Sequence, residues 1–350
     1  MHWRIKRMLN REGGSLLSLL CGCFRENGWW ITLLYFARLG AAVVQKKQLS
    51  RVIRYAGLGD LLCLAPSLVE MQSRGDQVVL IARSDFVGVM RRVVVRGIVI
   101  GRDSPLDAII QMCPLTVESF QPLNGDEYSP KRQCKAVHLV DSFAVGMSIV
   151  PKSRQPRLNV GAAEKRWGRQ QIRNRSEKDC IIAIHTGPTW LVREWPENHW
   201  RALVALVTKR LSCDVLQLGA SQHTAKGQME TVRIPGAIDC LDQFSILETA
   251  AILSQCQLLI GIDSGLLHLA GAAGTKTVGI FGAVLGSCRL PVETPSAVVQ
   301  AKVDCTGCHH LPQQLHWQDG CPFNITCMQQ IQPEDVLIAV TKLMISQSKG

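Results

Sequence analysis

The sequence predicts an α/β protein made of two parallel-sheet halves. From residue 51 onward, short β-branched apolar runs alternate with helical stretches. The alternation stops over a polar, basic connection at 151–179 and then restarts. The runs are apolar throughout rather than alternating, as strands covered on both faces of a parallel sheet must be. With 350 residues, 47% hydrophobic and 19% charged, a disordered chain is excluded and about two domains fit.

Taken in order, residues 1–50 stand apart. They hold eight Lys or Arg against Glu12 and Glu26, so +6 of the net +11 lies in the first seventh of the chain. A charge of that sign suits an anionic partner. The apolar runs at 15–23 and 29–44 are short, and the second contains Arg38, whereas a span takes about 20 apolar residues. No A-x-A site follows as a signal peptide would require. Two readings stay open for residues 1–47. They are helices lying on an anionic membrane surface, with Trp29 and Trp30 at headgroup depth, or helices packed on the body.

The first half then reads as a strand at 51–55, a GLGD turn, a helix from about Leu61 to Ser73 and a strand at 77–82. Further strands are expected at 97–100, 107–112 and 136–140. The second half reads as a helix at about 163–173, a strand at 180–185, a helix at 200–211 and a strand at 214–218. A helix at 245–254, a strand at 257–262, a helix at 265–273 and a strand at 276–281 follow. Pro333 opens a last helix to Met344. The expected division is 1–50 as a basic, apolar helical extension, 51–160 as a first domain and 161–350 as a second. Ligands of open α/β sheets sit outside the strand C-termini, so with two sheets the cleft between them is the default site. The 14 cysteines are scattered. Cys63, Cys180, Cys213 and Cys256 lie in apolar runs and read as buried thiols of a reducing, cytoplasmic compartment.

Three stretches carry chemistry. In GIDSGLLHLAGAAG (261–274) a buried strand ends at Ile262, Asp263 stands where an N-cap would be, Gly265 admits a close approach and a helix follows with His268 in its first turn. Free N–H groups and the dipole at such a helix start bind phosphate; the plain alternative is that Asp263 only caps and His268 only packs. In RYAGLGDLLCLAP (54–66) Asp60 falls at a helix start, where a carboxylate caps the helix or serves as a general base. The stretch is not GxGxxG, so a nicotinamide site lacks support. In HTGPTWLVREWPENHW (185–200) Arg193 is a forked cation fit to grip a pyrophosphate, or else a surface residue beside a structural Trp195–Trp200 pair.

Together these stretches resemble glycosyltransferase family 9, the heptosyltransferase family, over about residues 51–345. The long pattern LLIGIDSGLLHLAGAAGTKTVGIFG carries most of the likeness, with GLGDLLCLAP and REWPENHW in the family's order. The resemblance implies a GT-B fold of two Rossmann-like domains facing a cleft. It implies inverting transfer of a sugar, ADP-heptose being the expected donor, to a hydroxyl of a lipopolysaccharide-type or other surface glycan, with no catalytic metal. Asp60 would be the general base. Arg193, Ser264, Gly265, Leu266 and His268 would hold the pyrophosphate, with Asp263 shaping the loop. The family usually has Lys at the Arg193 position and a Pro-Thr turn where this chain has AVLGSCRLP. A non-catalytic nucleotide-sugar-binding scaffold and a transferase with a protein acceptor are the alternatives. The expected place is cytoplasmic, with peripheral contact to the inner membrane. Nucleic acid is not an expected partner, because the basic N-terminus lacks aromatic interleaving.

Cys305-x2-Cys308-x12-Cys321-x5-Cys327, with His309, His310 and His316 among them as substitutes, is a set able to form a tetrahedral Zn or Fe site that braces a loop, with free thiols or disulfides as the alternatives.

Overall fold

A computed structural model describes residues 16–45, 47–111, 117–120, 137–223, 229–310 and 321–345. Contacts divide the chain into two units. Unit 1 takes residues 1–57, 64–123 and 143–152; unit 2 takes 58–63, 124–142 and 153–350.

Unit 1 opens with two helices, α1 (Leu16–Asn27) and α2 (Trp29–Val44). Gly28 between them has φ +75° and ψ 162°, a backbone conformation that glycine adopts readily and that strains a residue with a Cβ. A four-stranded parallel sheet follows, in the order β3-β2-β1-β4, from β1 (Leu49–Ile53), β2 (Gln77–Ala82), β3 (Ile98–Gly101) and β4 (Val117–Phe120). Helices α3 (Leu58–Ser73), α4 (Ser84–Val93), α5 (Pro105–Gln111) and α6 (Leu139–Gly146) connect the strands and continue the chain.

The inner faces of α1 and α2 belong to the core of this unit. Cys23, Tyr35 and Leu39 pack with Leu49, Val79, Ile81, Ile98 and Ile100. The Tyr35 hydroxyl donates to the Val99 carbonyl at 3.0 Å and accepts from the Val99 N–H at 3.2 Å. Arg38 donates to the Gly97 and Val95 carbonyls. Packing on the body is thus what the inner face of this segment does.

Two expected strands are helices. Residues 107–111 lie in α5, which Pro105 opens at a position where its missing N–H costs nothing, and Met112 lies outside the described residues. Asp107 turns inward there to hold Arg51 of β1 through two bonds of 2.6 and 2.5 Å, both side chains under a tenth exposed. Residues 139–140 open α6, and Ala136 lies outside the described residues. The strand actually paired beside β1 is β4.

Unit 2 opens with α7 (Ala162–Arg173) and carries a six-stranded parallel sheet, β12-β11-β10-β5-β6-β9. Its strands are β5 (Ile181–His185), β6 (Asp214–Gly219), β9 (Ile238–Leu241), β10 (Leu258–Ile262), β11 (Lys276–Phe281) and β12 (Ser296–Gln300). A short pair, β7 (Gln222–His223) with β8 (Met229–Glu230), stands outside it. The helices are α8 (Glu197–Leu211), α9 (Ile246–Leu253), α10 (Gly265–Ala272), α11 (Thr326–Gln329) and α12 (Pro333–Ile345). Trp195 and Trp200 form an edge-to-face pair 4.9 Å apart inside the core, and the Trp195 indole donates to the Ile331 carbonyl.

Cys180 and Cys213 do not stand as separate thiols. They lie where β5 and β6 begin, their Cα atoms 4.5 Å apart, and are joined as a disulfide. Cys63 and Cys256 take part in no disulfide among the described residues. Among the described residues no helix is long and apolar enough to cross a membrane.

Candidate functional site

In sequence order the strands of unit 2 leave β5 toward β6 and β9, then return to its other side as β10, β11 and β12. The reversal lies between β5 and β10, and at such a switch point ligands bind beyond the strand C-termini. Arg193 follows β5, Asp263 to His268 follow β10, Arg289 follows β11 and His309 follows β12.

Asp263 is the electrostatic centre. It is 4% exposed, and its Oδ2 lies 3.3 Å from Arg193 Nε. Burial alone would push its carboxyl pKa up. Arg193, Arg289, His268 and His309 outweigh that and hold it below the usual carboxylate range. It is not the helix cap expected from the sequence. Ser264 occupies the N-cap, one residue later, and makes no side-chain capping bond. The Ser264 hydroxyl is shielded from solvent and has no hydrogen-bond partner among the described residues. It sits at the N-terminus of α10, whose first N–H groups lack intrahelical acceptors.

His268 is a buried ring in α10. Burial pushes its pKa down to about 4, with Asp263 and Asp60 opposing. At neutral pH it is uncharged and offers a hydrogen bond rather than the positive charge expected of a pyrophosphate ligand. Its Nδ1 lies 3.5 Å from the Cys63 sulfur. A Cβ on Gly59 would fall 2.7 Å from its Cδ2, and one on Gly265 would fall 3.1 Å from the Leu58 Cβ. The starts of α3 and α10 therefore approach through two glycines. That brings Asp60, in the first turn of α3 and partly exposed, into the neighbourhood of Asp263 and Ser264. All of these residues belong to unit 2.

Arg193 is no surface residue: its side chain is 17% exposed, and it reaches the Asp263 carbonyl as well as the carboxylate. Beside it a cavity of about 320 Å³ is lined by Thr186, Gly187, Leu191, Glu194, Val232 and Met328 among others. Burial raises the Glu194 pKa against one bond from the Thr189 N–H.

Two members of this cluster were not expected in it from the sequence: Arg289, and His309, which reads there only as a substitute metal ligand. Arg289 is 5% exposed. His309 is 2% exposed, and burial, then Arg289, lower its pKa to about 2. The loop holding Arg289 is tied down by a bond from His138 to the Leu290 carbonyl and by the Leu285 N–H donating to His310.

The late cysteines do not form the expected ligand set. Among the described residues no group of three or more His, Cys, Asp or Glu side chains is arranged to hold a metal ion. All four thiols are free. They do share one electrostatic neighbourhood: burial, then Cys305, Cys308 and Cys321, push the Cys327 thiol up to about 11.

The model of glycosyltransferase family 9 (heptosyltransferase) matches residues 132–316, more than half the chain. The chain belongs to that family. Lipopolysaccharide heptosyltransferase 1 of Pseudomonas aeruginosa is 29% identical over 103 residues, 29% of this chain and 28% of that one. Its counterpart in Salmonella typhimurium is 28% identical over 90 residues, 26% and 28% of the two chains. The matched stretch thus spans little more than a quarter of these curated relatives.

Solved structures extend the likeness of fold. The iron-containing dodecameric glycosyltransferase TibC of enterotoxigenic E. coli superposes with a TM-score of 0.68 at 18% identity, over 86% of this chain and 77% of that one. A family 9 glycosyltransferase of Veillonella parvula gives 0.65 at 16%, over 86% and 98%. The ADP-heptose lipopolysaccharide heptosyltransferase II of E. coli gives 0.62 at 14%, over 85% and 99%. The family 9 chain therefore has the GT-B fold that its motifs imply, with a parallel sheet in each unit.

Proposed function

We propose that this chain is an inverting glycosyltransferase that moves a heptose from ADP-heptose to a hydroxyl of a lipopolysaccharide-type acceptor. One observation carries the reading. At the switch point of the unit 2 sheet, the half-buried Arg193 and the buried Arg289, both within the field of Asp263, stand with a helix N-terminus and an orphaned serine hydroxyl. That is a site for a diphosphate, with donors fixed before the ligand arrives. Family membership supports the reaction class. The TibC neighbour was also solved in complex with ADP-D-β-D-heptose, which supports the donor. The 320 Å³ cavity beside Arg193 lies at the low end of small-ligand pockets and would take the nucleoside.

In the proposed step the acceptor oxygen attacks the anomeric carbon, its proton passes to the Asp60 carboxylate, and the bond from that carbon to the diphosphate oxygen breaks. The charge that grows on the departing diphosphate is met by Arg193, Arg289 and the α10 amides. Neutral His268 contributes packing and at most one hydrogen bond.

Calorimetric titration with ADP, UDP, GDP and CMP tests the donor, with ADP expected to bind best. Preference for another nucleotide overturns ADP-heptose as donor. Asp60→Asn should abolish transfer while ADP affinity stays within about two-fold, because a general base acts on the acceptor and not on the nucleotide. Lost ADP binding would make Asp60 structural, and full transfer by the variant would remove it as the base.

A further inference from the structure

Helix α2 has two faces. The inner one, with Thr32, Tyr35, Leu39 and Ala42 buried, is fixed into unit 1. The outer one is apolar and open to solvent. Trp30 is 86% exposed, Leu33 50%, Leu34 47% and Val44 83%, with exposed Ala37 and Ala41 between them. These positions follow helical spacing, so they form one continuous stripe along 16 residues, about 24 Å. At its start Trp29 lies 4.3 Å from Phe24, ring centre to ring centre, and keeps 70% of its surface in solvent.

We propose that this stripe docks on an anionic phospholipid surface, with α2 lying in the plane of the headgroups. Length and composition exclude a span, whereas an in-plane helix needs one apolar face and a basic surround. Charge selects lipid over a second copy of the chain. Exposed Arg25 and Lys47 stand near the two ends of the stripe, and residues 1–11 add Arg4, Lys6, Arg7 and Arg11. Against these there are only two acids, and Glu26 accepts a hydrogen bond from Ser104 on the unit 1 body. Pairing two such faces would oppose like charges, while an anionic leaflet complements them, each basic group near the surface adding about 1 kcal/mol. Tryptophan at the stripe's end suits the depth where apolar and polar layers meet. The proposal rests on the helix alone and does not depend on the sugar donor.

Deleting the segment is the wrong test, because its inner face is core. The full-length chain is instead sedimented with vesicles of phosphatidylcholine alone and with about 30% phosphatidylglycerol. It is compared with a Trp30→Ser/Leu33→Gln/Leu34→Gln variant, which leaves Trp29 on Phe24, and with Lys47→Glu. The expected result is binding to the anionic vesicles that weakens with salt, and a loss of roughly ten-fold or more in the triple variant at unchanged melting temperature. Lys47→Glu, which leaves the apolar stripe intact, should weaken binding several-fold. No vesicle binding by the full chain, or undiminished binding by both variants, overturns the proposal. So does a triple variant whose only change is a smaller particle in gel filtration, since that makes the stripe a contact between copies.

Discussion

Asp263 lies within the field of both Arg193 and Arg289, so removing it strips a buried counter-charge from two guanidiniums. Asp263→Ala should cost about 3 kcal/mol, as breaking a buried pair from one side does, and saturating ADP should return part of the loss in a thermal melt. Arg289→Ala should weaken ADP binding about ten-fold or more, since it removes a cation held ready for the diphosphate; unchanged affinity would remove Arg289 from the site. The glycines of the GLGD turn separate cleanly. Gly57 has φ −65°, and a Cβ placed on it would meet nothing within 4 Å, so Gly57→Ala should be neutral or slightly stabilising. Gly59→Ala drives a methyl onto the His268 ring and should cost about 1–3 kcal/mol. Equal melting temperatures for the two variants would refute the contrast. Asp60, Arg193, Asp263, Ser264, Gly265, Leu266 and His268 are singled out by the sequence as candidates because each stands at or just beyond a strand-to-helix turn. Arg289 and His309 are not candidates for this cluster. Each stands in an irregular segment, and what buries them is the folding of one loop against another. The only hint was an arginine inside the apolar run AVLGSCRLP.

The elements that sequence reading placed well include β5, β6, β10 and β11 of unit 2, five or six residues each and bounded by clear turns or caps, whereas β9 and β12 of the same sheet were not expected. Helix α9 is a good case: Ser245 accepts from the Glu248 N–H and Glu248 accepts from the Ser245 N–H, a reciprocal cap at both ends of SILE. Ser245→Ala should cost about 1 kcal/mol of stability, readable as a shifted denaturation midpoint, and a shift below about 0.3 kcal/mol would show the cap idle. The misread elements share a physical cause. DAIIQM and HLV are apolar runs too short for periodicity to tell strand from helix. The deciding contact for the first, Arg51 with Asp107, joins residues 56 apart. Register along the chain could not show it.

For the molecule as a whole, several buried imidazoles are kept neutral. His268 is lowered to about 4 and His309 to about 2, with His138 and His185 lowered too, burial being the largest cause in each. Below about pH 6.5 the unfolded chain takes up protons on these rings more readily than the folded chain does. Stability should therefore fall as pH drops from about 6.5 toward 4. It should fall further below that as Asp263, whose folded pKa is depressed, is protonated. Calorimetric melting between pH 7.5 and 4.5 checks the upper window, and a flat profile there would contradict it. The two parallel sheets were legible because each carries its own strand–glycine–helix motif; the packing of residues 18–44 onto the first sheet was not, because an apolar helix face reads the same whether protein or lipid covers it. The bond from Tyr35 to Val99 spans 64 residues, and that separation has a consequence during synthesis. At about 5–20 residues per second, the ribosome delivers α2 several seconds before the strand it locks onto. Throughout that interval both sides of the newborn helix are bare, and whatever chaperone or lipid waits at the exit port meets the inner side before the protein can hide it.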